Sequence, residues 1–269
     1  MFPPAPSVPA DPSRIAALRA RIAAIGGGAA NRQPSPVPLG VAAIDAALPW
    51  RGLPRAGLHE ISAGDASAAA AGFCAFLLAR FAAAGRTVVW CRRGRGLYAP
   101  ALAAFGLDLS RLLIVYPRSE RSVLQAMEEA LRCSALAAVL GETGSAEPIA
   151  LRRLQLAAEA SGVAALVLRP AMPGLASPSP ALPSPALPSP ALTRWQVTAV
   201  PGRAENEDNR RTITVRWRLA LQRCRTGIPA FWHVDWCDET HRLAVVAELC
   251  DRPALPATVP AAPERRWAV

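Results

Sequence analysis

Residues 57–85, GLHEISAGDASAAAAGFCAFLLARFAAAG, decide the fold. Gly57 to Ser62 reads as a short apolar strand, Ala63 to Ser67 as a turn of small residues, and the remainder as a long apolar helix stopped at Gly85. Strand, tight turn and buried helix form the opening unit of a nucleotide-binding α/β domain. Such a turn carries G-x-x-x-x-G-K-S/T, so that backbone N–H groups and one lysine cradle phosphates. Here Ala63 and Ala68 stand at the glycine positions, Ala69 at the lysine and Ala70 at the hydroxyl residue, with Gly64 and Asp65 inside the turn. The scaffold of a phosphate site is present and its chemistry is not. All 30 basic residues are arginine, so no shift of register restores the lysine. The planar guanidinium fork does not replace a compact ammonium held against phosphate. Asp65 adds a negative charge where a phosphate would sit.

The flanking sequence extends the pattern. Leu39 to Leu48 is a short amphipathic segment, linked to the strand through Pro49, Gly52, Pro54 and Gly57. Downstream, Arg86–Cys91, Leu112–Tyr116, Ala135–Leu140 and Val163–Arg169 read as buried strands. Helices are expected between them at Tyr98–Phe105, Glu120–Cys133 and Ala146–Ser161. Ser119 is placed to cap the second of these, with Val123, Met127, Ala130 and Leu131 as its buried stripe. Glu128 and Arg132 lie one turn apart outside it. This rhythm predicts an α/β fold with a central, mostly parallel sheet flanked by helices. Arg194–Val200 resumes as a strand, Glu205–Asn209 reads as an acidic loop, and Thr212–Cys224 alternates with a period of two. With Phe231–Trp236 and Arg242–Val246 it predicts a C-terminal antiparallel β extension. High alanine content suggests a core of modest side-chain volume.

Three segments read as lying outside the domain. Residues 1–37 form an N-terminal tail, Pro-rich at first, with an amphipathic helix over Ser13–Ile25 closed by Gly26-Gly27-Gly28. The domain spans 38–250, and Pro170 to Leu192, which repeats SPALP, is a Pro-rich surface insertion in it. Residues 251–269 are a disordered tail. The N-terminus lacks the basic region of a signal peptide, and the longest apolar run is too short to span a bilayer. Six cysteines without a C-x-x-C pair read as reduced thiols, with Cys74, Cys91 and Cys133 as buried hydrophobes, in a cytoplasmic protein. His233, Cys237 and His241 recur every four residues, but a hairpin scatters such side chains; no metal and no cofactor are expected. A net charge of +10 suits a polyanion or acidic partner. The basic turn Arg92, Arg93 and Arg95, at the carboxyl end of the sheet, is expected to attract an anion, either DNA phosphate or an acidic protein surface.

From Pro38 to Leu249 the chain resembles the RecA-like core. The match runs through Leu39-Gly40, Ile44-Asp45, Gly52-Leu53-Pro54, His59-Glu60-Ile61, Gly85-Arg86-Thr87 and Gly106-Leu107-Asp108. Within that superfamily it resembles the ImuA family, most tellingly at Ala126-Met127-Glu128-Glu129-Ala130-Leu131-Arg132-Cys133, with Gly141-Glu142 after it. A second family-like segment carries Arg218, Leu219, Leu221, Arg223, Arg225 and Gly227.

The resemblance implies a part in SOS-induced mutagenesis, beside ImuB and an error-prone C-family DNA polymerase; RecA and DNA are further candidate partners. It also implies which catalytic parts are gone. The lysine and threonine of RecA's phosphate loop match Ala69 and Ala70. Its catalytic acid falls near Arg92 or Arg93, and its metal-positioning aspartate at Gly141, beside Glu142. The paired basic residues of the recombinase's late hairpin match Arg223 and Arg225, which join Arg92, Arg93 and Arg95 as a candidate interaction patch. The expected function is therefore a non-catalytic scaffold in translesion synthesis. A cell-division inhibitor resembling SulA, also RecA-like without a phosphate loop, is the alternative, and an ATPase is disfavoured.

Overall fold

The computed structural model describes residues 35–65, 68–144, 146–170, 189–201, 204–207, 210–213, 215–237 and 239–246. The expected N-terminal helix and the tail from Asp251 lie outside the described residues. In chain order the helices are α1 (Ala42–Ala47), α2 (Ala69–Ala82), α3 (Ala99–Ala103), α4 (Glu120–Leu131) and α5 (Pro148–Ser161). The strands are β1 (Leu58–Ala63), β2 (Val88–Cys91), β3 (Leu112–Val115), β4 (Ala138–Glu142), β5 (Ala164–Arg169) and β6 (Thr193–Val200). They continue with β7 (Ala204–Glu207), β8 (Arg210–Ile213), β9 (Val215–Cys224), β10 (Ala230–Cys237) and β11 (Arg242–Val245).

Nine strands form one sheet in the order β11-β10-β9-β6-β1-β5-β4-β2-β3. β6 to β3 are mutually parallel, and β9, β10 and β11 are added by antiparallel pairing. This is a RecA-like fold with the expected antiparallel extension. α2 and α3 carry the chain outward to β3 over one face, and α4 and α5 bring it back over the other. Right-handed crossovers require that change of face when the direction along the sheet reverses.

α2 is apolar on nearly every side and is buried accordingly. Its small residues let it lie close to the sheet, and large aromatics fill the remaining space. Phe73 and Phe76 meet Trp195, Trp217 and Trp236 at ring separations of 5.7–6.3 Å. The core is therefore rich in alanine but not small in side-chain volume. α4 begins as expected, with Ser119 Oγ accepting from the Ser122 amide at 3.1 Å. Val123, Met127 and Leu131 are its buried residues, and Arg132 lies 3.8 Å from Glu128. Cys133 falls beyond that stripe and is exposed, unlike Cys74 and Cys91.

Three expectations are corrected. β4 starts at Ala138 because the carbonyls of Ser134, Ala135 and Leu136 curl around the Arg86 guanidinium and leave the ladder. Glu205–Glu207 is not loop: β7 pairs antiparallel with β8, with Glu207 in register with Arg210. The Pro-rich insertion is shorter than 170–192. Ser189, Ala191 and Leu192 are buried, and Leu192 Cδ1 fills the space a side chain at Gly57 would need. Residues 171–188 remain outside the described residues. Replacing them with a Gly/Ser bridge of about ten residues, which reaches roughly 33 Å extended, should leave the melting temperature nearly unchanged. Removing 189–192 as well should lower it clearly. A large loss from the first replacement would mean that the repeat packs on the domain.

β1 is polar at its centre on both faces. On one face His59 Nδ1 lies 2.8 Å from Thr193 Oγ1, and Nε2 lies 2.9 Å from the Pro54 carbonyl. A carbonyl only accepts, so Nε2 carries the proton and Nδ1 accepts from the Thr193 hydroxyl. That hydroxyl oxygen in turn accepts from Trp195 Nε1 at 3.0 Å. On the other face Glu60 accepts from Arg169 and Arg194 at 2.9 and 2.8 Å. Burial alone would raise the Glu60 pKa, but the hydrogen bonds and charges of Arg169 and Arg194 together hold it below the usual range.

The network requires a neutral imidazole, and burial depresses the His59 pKa to about 4, against a smaller opposing effect of the Pro54 carbonyl. Between that value and the unfolded 6.5 the unfolded chain binds more protons, so stability falls as pH drops through this window. The loss is on the order of 3 kcal/mol. Glu60 adds a loss in the same direction at lower pH. Thermal melts from pH 7.5 to 4.5 should show a falling melting temperature, and the slope should flatten in His59→Gln, whose amide can replace both hydrogen bonds. An equally steep profile in the variant would place the titration elsewhere.

Candidate functional site

The turn after β1 is stitched to β6. The Gly64 amide donates to the Val197 carbonyl at 2.7 Å, and the Asp65 carboxylate accepts from the Ala199 amide at 2.7 Å. Asp65 is thus not a charge left inside a phosphate nest; it prolongs the β1–β6 ladder. Gly64 is glycine for a packing reason, since a Cβ there would come within 2.1 Å of Thr198 Oγ1. Ala68 caps α2 without a side-chain hydrogen bond. Ala69 and Ala70, in the lysine and threonine places, are buried in the core with 7% and 2% of their surface exposed. Ala63, the first glycine position, closes β1 and pairs with Val197.

The other half of a nucleotide site is filled in the same manner. Glu142, at the end of β4, accepts a 2.7 Å hydrogen bond from Trp90 Nε1. Arg92 Nε lies 3.6 Å from the same carboxylate oxygen, close enough for charge attraction and too far for a hydrogen bond. The residue at the catalytic-acid position therefore neutralises the one carboxylate left at the metal position. Glu142 reaches under α2, where its charge adds to burial in raising the pKa of Cys74. Gly141 has no room for a carboxylate: a Cβ would meet Met127 Sδ at 2.1 Å. Met127, in the family-like helix, thus packs where an aspartate side chain would start. The sequence marked Met127 as a core residue in the family-like helix but not its place over Gly141, and gave no sign of Trp90's bond to Glu142.

The arginines do not form one patch. Arg92 is taken by Glu142, Arg93 lies 4.0 Å from Glu120, and Arg95 is exposed. These three follow β2 at the carboxyl end of the parallel strands. Arg223 and Arg225 are at the opposite end, because β9 runs antiparallel to β6 and Cys224 pairs with Thr193. Arg223 donates to the Ser189 carbonyl, and the Arg225 amide to that of Leu192, so both residues clamp the start of β6. Among the described residues no group of three or more His, Cys, Asp or Glu is placed to hold a metal ion. His233 is on β10, while His241 turns to the Ala104 carbonyl and the Trp236 ring. No helix among the described residues is long and apolar enough to cross a membrane.

Fold and site together define a RecA-like α/β protein whose nucleotide positions are occupied by its own packing. No family model matches the chain. It is similar to proteins described as "Protein ImuA" from two strains of Caulobacter vibrioides, NA1000/CB15N and ATCC 19089/CIP 103742/CB 15. Each is 33% identical over 240 residues, covering 83% of this chain and 94% of the relative. The chain belongs to the ImuA family.

If Gly64 serves the β1–β6 contact rather than phosphate, Gly64→Ala should cost about 1–3 kcal/mol of stability through overpacking against Thr198. Denaturant unfolding checks this. An unchanged midpoint would show that the strands part without cost.

Proposed function

We propose that this protein is a non-catalytic adaptor in damage-induced mutagenesis, acting in translesion DNA synthesis with ImuB and an error-prone C-family DNA polymerase in the cytoplasm. One observation carries the non-catalytic part: Arg92 and Trp90 hold Glu142 while Met127 fills the space at Gly141. A Mg²⁺ site needs open oxygen ligands beside phosphate, and phosphoryl transfer needs a cradle and a charge-neutralising metal. Alanines at 63, 68, 69 and 70 support the same reading. The ImuA relatives favour the mutagenesis system over cell-division control. The partners are expectations from the family resemblance of the sequence, with RecA and DNA as further candidates.

The test is equilibrium titration of the full chain with a fluorescent ATP analogue and Mg²⁺, for wild type and for an Ala68→Gly, Ala69→Lys, Ala70→Thr variant. Neither should bind, because the variant restores only the last three loop positions and leaves Ala63, Gly141 and Arg92 in place. Micromolar binding by wild type, competed by ATP, would overturn the adaptor reading. Affinity capture from cells after DNA damage should retain ImuB and the polymerase, and their absence would overturn the partnership.

A further inference from the structure

Among the described residues, the nine-stranded sheet is covered on both faces only over part of its width. On the side of α4 and α5 the apolar core takes residues from β1, β5, β4 and β2 and none from β6, β9, β10 or β11. The alternation of these outer strands turns Trp195, Val197, Trp217, Leu219, Leu221, Val234 and Trp236 to the opposite face. What they present on the uncovered side is polar and cationic. The pairing register sets Thr198 beside Arg218 and Arg218 beside His233, with Arg216 opposite Asp235 one row further and Ala220 opposite Phe231 one row back.

Two arginines on this face are fixed in place. Arg216 makes a two-pronged contact with Asp235, Nε to Oδ1 at 2.6 Å and Nη2 to Oδ2 at 2.8 Å. The pair holds the guanidinium in plane and uses two of its five N–H donors, with the side chain 20% exposed. The Arg218 guanidinium carbon lies 5.0 Å from the centroid of the Phe231 ring, which is 53% exposed. Toward β1 the face continues with Arg194 and Arg169 around Glu60. Four arginines against two carboxylates leave this strip positive.

A second helix layer does not fit here, because such a layer needs an apolar stripe to bury. Extended, unstacked nucleic acid does fit. Single strands bind to cationic surfaces that follow the phosphates and carry an aromatic ring for a base to stack on, and both parts are within one β-hairpin here. We propose that the open face of β6, β9 and β10, centred on Arg216, Arg218 and Phe231, binds single-stranded nucleic acid. A base stacks on Phe231 and the arginines face the backbone. The inference goes beyond the adaptor reading: binding of ATP would overturn that reading and leave this surface untouched.

Fluorescence polarisation of labelled dT20 and rU20 with the full chain tests it, and the two probes separate a DNA surface from an RNA surface. Wild type should bind, with affinity falling steeply as salt rises, since phosphate contacts release counterions. Phe231→Ala and Phe231→Leu should each weaken binding at least fivefold, in line with the loss of one stacked base. Phe231→Trp should keep it, and Arg218→Ala should lower both the affinity and the salt slope. The leucine variant keeps the apolar volume, so a wild-type melting temperature there separates lost stacking from lost folding. Absence of wild-type binding to both probes at low salt overturns the proposal. So does a well-folded Phe231→Leu that titrates like wild type, or binding lost only in Arg93→Ala/Arg95→Ala. Polyglutamate competing as well as unlabelled dT20 would assign the face to an acidic protein instead.

Discussion

The structure depends on the parallel pairing of β1 with β6. β1 is bonded on its other side to β5 and carries the RecA-like half; β6 is bonded on its other side to β9 and carries the antiparallel extension. The sheet is continuous into the extension only through this ladder, and α2 backs it by packing Phe73 and Phe76 against Trp217 and Trp236. Both faces reinforce it, His59 reaching Thr193 on one and Glu60 reaching Arg194 on the other. A buried carboxylate is costly unless it is paired and hydrogen-bonded. Two arginines meet that condition for Glu60, and removing either would leave the charge underpaired in the middle of the sheet.

The same ladder accounts for the fate of the phosphate turn. A nucleotide loop must leave its strand early and keep backbone N–H groups pointing at empty space. Here Gly64 and Asp65 continue along β6, and the close approach to Thr198 excludes any side chain at Gly64. The parts facing the turn have adjusted in concert. A carboxylate with no cation beside it would be destabilising so close to α2, and Arg92 supplies the charge. A glycine at 141 would leave a hole, and Met127 fills it, an adaptable side chain suited to an irregular gap. The positions that match a nucleotide site therefore hold internal contacts rather than an empty space.

Much of this was legible in the sequence because it is written in local patterns. Strand and helix positions followed from apolar periodicity, and Ser119 announced the start of α4. The missing lysine needed only the register of residues 63–70. What was not legible depends on distances between elements. Nothing in the order of residues says that Arg92 and Glu142 end adjacent strands, or that Met127 lies over Gly141. The arginines at 92–95 and 223–225 look alike along the chain. Only the reversal of direction at β9 sends them to opposite ends of the sheet. The end of the insertion is not legible because SPAL repeats into Ser189–Leu192, and composition does not show that this copy packs under Gly57. The strand β7 is not legible because its sequence, AENE, lacks the apolar alternation that marks a strand.

Geometry also bears on what such a plate can do for the proposed adaptor. An ATPase concentrates its function at the carboxyl end of the parallel strands, where loops converge on one ligand. In this chain the contact-making groups are spread out. Arg93 and Arg95 lie at that end, and Arg225 at the other, roughly 20 Å away for strands of six residues. The arginine-bearing face of β9 and β10 lies to the side. Surfaces at opposite ends and on one face of a rigid sheet point in different directions, so a contact at one does not use the residues of another. Rigidity matters because a partner held at one end is then held at a fixed distance and angle from whatever is bound on the face. The buried polar ties across β1 and β6 sit between these surfaces. They do for an adaptor what phosphate and metal do for an enzyme: they fix the relative position of groups that must act together.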